Sequence, residues 1–139
     1  MKKYRLYLLA SISIFLLLVS CTGTDELTAG LDQEFTLSIG QSARIEGEDL
    51  QVRFEEVIED SRCATGAICI WEGRVSLAVE IKDNGSPYKM VLIQSGMNNQ
   101  YASETYKAYQ LTFKVNPYPE LGKDIATGDY QLLLTVSER

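Results

Sequence analysis

From Glu34 onward, apolar and polar residues alternate along the chain with a period of two. Phe35, Leu37 and Ile39 are separated by polar residues, as are Leu50, Val52 and Phe54. The longest clean run is Val75, Leu77, Val79 and Ile81; Tyr109, Leu111, Phe113 and Val115 repeat it, and so do Tyr130, Leu132, Leu134 and Val136. In a pleated strand alternate side chains share one face, so each run predicts a strand covering a common core. Asn84-Gly85 predicts a type I′ hairpin, because both central positions of that turn need positive φ. Shorter strands are expected over 43–46 and 88–94, and Phe54-Glu55-Glu56-Val57 interrupts the alternation as a bulge would. The result is about seven strands and no amphipathic helix of ordinary length. That pattern predicts an all-β domain built as an antiparallel two-sheet sandwich.

The first 20 residues follow a different pattern. Lys2, Lys3 and Arg5 precede a mainly apolar stretch over 6–19, only 14 residues long. A bilayer-spanning helix needs about 20, so the segment reads as a secretory leader that is removed. Its end, Leu18-Val19-Ser20-Cys21, resembles a bacterial lipobox. That resemblance implies a diacylglycerol on the Cys21 thiol and cleavage just before it. The expected organisation is a leader over 1–20, a lipidated flexible tether over 21–33 and a β-sandwich over 34–139. The leader carries three of the 13 basic residues and none of the 19 acidic ones, which leaves a net charge of −9 from Cys21 onward. A polyanion would be repelled, so nucleic acid is not an expected partner. Membrane attachment must come from the N-terminal lipid rather than from a basic patch. The expected location is extracytoplasmic, on a bacterial membrane. In a Gram-negative cell that means the outer membrane or cell surface, and Asp25-Glu26 after the cysteine resembles a surface-export signal.

With Cys21 assigned to lipid, Cys63 and Cys69 remain as an even pair. Outside the cytoplasm they are expected to form a disulfide. So small a ring contributes about 2 kcal/mol on the loop-entropy model. Five intervening residues argue against a redox motif, and two cysteines without any histidine make a poor metal site. The surrounding segments, Asp60-Ser61-Arg62-Cys63 and Cys69-Ile70-Trp71-Glu72-Gly73, resemble a motif of a group of small, uncharacterised bacterial lipoproteins and secreted proteins. Ala64 stands where that motif usually has proline. The likeness extends to Asn116-Pro117-Tyr118-Pro119 and the final strand, and it implies a β-fold with a paired disulfide but no activity. Thr127-Gly128-Asp129-Tyr130 resembles the last-strand signature of many immunoglobulin-like domains.

Two arrangements of the cysteine loop are open. Trp71 caps the end of the core while Arg62 pairs at the surface with Asp60 or Glu59, or both Arg62 and Trp71 stand exposed as contact residues. The first is the expectation carried forward. Gly73 is expected to supply a positive φ or a close backbone approach. A second candidate surface follows the polar insert over 94–100, where Tyr101, Tyr106 and Tyr118 are available to stack on a sugar; Tyr109 is in register with the core. Acidic residues recur at Glu46, Glu48 and Asp49 and at Glu55, Glu56, Glu59 and Asp60, without the spacing of a calcium loop. The absence of histidine excludes Ser-His-Asp and Cys-His catalysis. No nucleophile elbow, phosphate loop or dinucleotide fingerprint is present, so neither catalysis nor a cofactor is expected. The expected role is a non-catalytic binding or accessory module with an envelope protein or a glycan as ligand. A carbohydrate-binding module using the tyrosines, or a small enzyme inhibitor presenting the disulfide loop, is the alternative.

Overall fold

A computed structural model describes residues 26–96 and 99–139. The leader, Cys21 and the chain as far as Asp25 lie outside the described residues, as do Met97 and Asn98 of the polar insert. Among the described residues nine strands form: β1 Glu26–Ala29, β2 Glu34–Ser38, β3 Ser42–Ile45, β4 Leu50–Asp60, β5 Arg74–Asp83, β6 Ser86–Ser95, β7 Ala102–Tyr106, β8 Tyr109–Asn116 and β9 Gln131–Glu138. They make a sandwich of a five-stranded sheet, ordered β1-β3-β4-β5-β6, on a four-stranded sheet, ordered β2-β9-β8-β7. All pairs are antiparallel except β1 with β3.

The alternating runs account for the core. Val75, Leu77, Val79 and Ile81 of β5 are fully buried, and opposite them lie Leu111, Phe113, Leu132 and Leu134 of β8 and β9. Each such side chain removed from water contributes about 1.5–3 kcal/mol before conformational entropy is counted. Asn84 and Gly85 have φ of 50° and 76°, and they join Asp83 to its cross-strand partner Ser86 as the hairpin reading requires. The register of β4 on β5 shifts between Phe54 and Glu56, where the bulge was expected, and again between Val57 and Glu59. Gln94 is a buried polar residue of β6. It accepts a hydrogen bond from the Val115 backbone N–H at 2.8 Å and donates to the Gln100 carbonyl at 2.7 Å, joining the two sheets at one edge.

Two strands depart from the sequence reading. The segment taken as tether contains β1, so the sandwich includes Glu26–Ala29 as well as the residues from Glu34 onward. β1 is held by main-chain pairing with β3, and the Glu26 carboxylate accepts from Gln51 Nε2 at 2.7 Å and Arg44 Nε at 3.3 Å. Only Ala29 of the strand is buried, so it carries no apolar alternation. Beyond it Leu31 packs on the core and the Asp32 N–H donates to the Val136 carbonyl. The other addition is β7, an edge strand in which Glu104 occupies the register opposite core residue Leu111. A charge at that position breaks the pattern, as edge strands commonly do.

The strand directions gather the connections at two ends. Residues 61–73, 96, 99–101 and 117–130 form a loop end; 30–33, 46–49, 84–85 and 107–108 form a turn end. The 127–130 signature becomes a short 3-10 turn, Thr127–Asp129, just before β9.

Candidate functional site

The most distinctive chemistry lies at the loop end, on the segment joining β4 to β5. The ladder of these strands continues into it: the Ser61 N–H donates to the Arg74 carbonyl at 2.8 Å, and the Cys63 N–H to the Glu72 carbonyl at 3.2 Å. The Cys63–Cys69 disulfide then closes the tip. Gly73 has φ of 66°, and a Cβ built on it would lie 1.8 Å from the Ser61 carbonyl oxygen. Both roles expected of this glycine are therefore realised. A Cβ on Gly96 would lie 2.3 Å from the Glu72 carbonyl oxygen. The two glycines let three backbone segments meet where any side chain would separate them.

Arg62 lies inside this junction, contrary to the surface position expected of it. Its side chain has no solvent exposure. Nε donates to Asp60 Oδ1 at 2.8 Å, Nη2 to Asp60 Oδ2 at 2.6 Å and to the Pro117 carbonyl at 2.9 Å, and Nη1 to the Val115 carbonyl at 2.8 Å. Four of the five guanidinium N–H groups are thus used. The guanidinium also stacks over the Tyr118 ring, 5.2 Å from its centroid. Asp60 accepts two further bonds, from the Arg62 backbone N–H and the Tyr130 hydroxyl. Burial, with the neighbouring Asp60 carboxylate, pushes the Tyr130 hydroxyl above the usual tyrosine range. The Asp-Ser-Arg-Cys segment is a structural clamp on the end of β8, and the buried Arg62 side chain is not accessible to a partner.

Trp71 is the opposite correction. Expected to cap the core, it is 71% exposed, and Ile68 and Ile70 beside it are 102% and 90% exposed. The space over the end of the sandwich is occupied by Arg62 and Tyr118, and the disulfide holds the tip away from it. The 117–126 segment lies alongside: the Thr65 N–H donates to the Pro119 carbonyl at 2.9 Å, and the Leu121 N–H to the Thr65 carbonyl at 3.1 Å. Leu121 is itself 67% exposed. Between these segments is an open depression of about 480 Å³ lined by Cys63, Thr65, Cys69, Trp71, Asn99 and Tyr118 among others. The reading from sequence passed over Ile68, Ile70 and Leu121. The available signal was a pair of isoleucines flanking Cys69, one inside a ring too short to return it to the core and one just beyond it.

The three candidate tyrosines do not form one surface. Tyr106 is buried at the turn end, with its ring 5.4 Å from that of Tyr88, which corrects its place among the exposed contacts. Tyr118 lies under Arg62 and donates its hydroxyl proton to the Gly96 carbonyl. Tyr101 is exposed on the outer face of the four-stranded sheet. Its hydroxyl donates to the Glu34 carboxylate at 2.6 Å, which raises its pKa above the ordinary value. Tyr109, expected in the core, is half-buried; its hydroxyl donates to Glu48 at 2.6 Å, and that bond pushes its pKa up to about 12. Among the described residues no three acidic or cysteine side chains converge as metal ligands, and no helix is long and apolar enough to cross a membrane.

Comparison with protein-family models, curated proteins and solved structures gave no match to the chain.

Proposed function

We propose that this protein is a lipid-anchored, extracytoplasmic binding or accessory module of the bacterial envelope, non-catalytic, whose contact surface is the outer side of the 63–73 loop. The observation that carries this reading is the exposure of Ile68, Ile70 and Trp71 together on a covalently closed tip. Single exposed apolar residues are ordinary on protein surfaces, whereas a cluster on a rigid loop is typical of contact sites. A pre-shaped loop also loses little conformational entropy when it binds. The groups beneath it favour support over chemistry, because the Asp60 and Arg62 side chains are bonded to each other and Arg62 donates to two backbone carbonyls.

The test uses Trp71, the single tryptophan of the chain, as its reporter. Its emission in detergent-free soluble protein bearing Cys21→Ser is expected to be red and open to iodide. In the native chain within envelope membranes, iodide quenching is expected to fall several-fold. Equal quenching in both settings refutes the contact surface. The anchor has its own readout: Cys21→Ser is expected to abolish acyl labelling and release the protein from membranes, and a variant that keeps its label refutes the lipidation.

A further inference from the structure

We propose that the partner of this surface is the bilayer itself: Ile68, Ile70, Trp71 and Leu121 enter the headgroup–acyl boundary as a second attachment beside the lipid on Cys21. This rests on the lipid-anchor reading above. Topology supplies the first argument. β1 runs parallel to β3 from Glu26 opposite Ser42, and Ser42 pairs with Arg53 of β4. From that level β4 climbs to Asp60 at the loop end, while β1 descends to the turn end. The chain therefore enters β1 travelling from the loop end.

Tether length is the second argument. Five residue steps separate Cys21 from Glu26, a reach of at most about 17 Å. Climbing seven positions along β4, from Arg53 to Asp60, covers roughly 20 Å. A lipid on Cys21 thus keeps the membrane within about 17 Å of Glu26, and a tether that continued the line of β1 would meet it near the level of the loop end.

Surface chemistry is the third argument. The loop end carries four large exposed apolar side chains on two segments hydrogen-bonded to each other through Thr65. Tryptophan favours the membrane interface because its ring is apolar and its N–H remains hydrated there. Glu72, Glu120, Lys123, Asp124 and Asp129 are exposed on the same segments and limit the depth to the interface. Acidic residues occur at both ends, but the turn connections, with Glu46, Glu48 and Asp49, carry no exposed large apolar side chain to enter a bilayer. With a net charge of −9 from Cys21 onward, attachment comes from apolar insertion and does not need anionic lipid.

The experiment reconstitutes the full acylated chain in phosphatidylcholine vesicles, with and without bromine on the upper acyl carbons. Trp71 emission is expected to shift to the blue and to be quenched several-fold by the brominated lipid, at low and high salt alike. A variant with Ile68→Ser, Ile70→Ser and Leu121→Ser keeps the acyl group and the fluorophore, and is expected to lose most of that quenching. An acylated chain that stays in the vesicles with Trp71 red and unquenched overturns the proposal. So does protection seen in native membranes but not in pure lipid, since the occupant is then a protein. Mass analysis of the purified chain separates the two readings: an unmodified Cys21 removes the anchor and this inference together, whereas acylation without quenching removes only this one.

Discussion

On the inner side of the 61–73 loop the Arg62 side chain is wholly buried; on the outer side Trp71 is 71% exposed and Ile70 90%. Residue type alone would assign the two places the other way round. The inner side is dry and charged, held together by a bidentate ion pair and two backbone carbonyls. The outer side is wet and apolar. Burying a guanidinium is tolerable only when its donors and charge are matched, and here Asp60, Val115 and Pro117 match them. The comparison teaches that the clamp fixes the fold locally and thereby leaves the tip free of any duty to the core.

The largest expected effect lies on the inner side. Arg62→Ala leaves the Asp60 carboxylate buried without its counter-charge and should cost about 3–5 kcal/mol in urea unfolding. Asp60→Asn should be costly too, and the double variant should fall well short of the sum, because both changes break one network. If Arg62→Ala costs less than Trp71→Ala, the contrast between the two sides is wrong. The link between the sides comes next. Replacing Cys63 and Cys69 together by serine should lower stability by about 2 kcal/mol while leaving the sandwich folded, as thermal denaturation with far-UV circular dichroism would show. The smallest effect belongs to the outer side. Trp71→Ala should change stability by less than about 1 kcal/mol and be additive with Arg62→Ala. A loss as large as that of a core aromatic, about 3–5 kcal/mol, would return Trp71 to the interior.

The central strands were legible because burial of one face imposes period two on the residues, as in Val75 to Ile81. Asn84-Gly85, the bulge after Phe54, the cysteine pair and Gly73 were legible because each answers a local backbone or covalent demand. β1 was not, since main-chain bonds and the Glu26 carboxylate hold it rather than an apolar face. β7 was hidden by Glu104 at a core-facing register. Arg62 and Trp71 were misplaced for a single reason. Whether the arginine is buried depends on acceptors at Val115 and Pro117, 53 and 55 residues along the chain. Once Arg62 takes the end of the sandwich, no room is left there for the indole.

The parallel pairing of β1 with β3 has a mechanical consequence. Four residue pairs, from Glu26 with Ser42 to Ala29 with Ile45, join the start of the domain to its body. A pull on Glu26 directed along β1 loads these rungs in shear, all sharing the force at once. A sideways pull would peel them one after another. β9 ends at the turn end, so a load between Glu26 and Glu138 also runs along the strands. The pairing is thus oriented to resist traction along the strands better than traction across them.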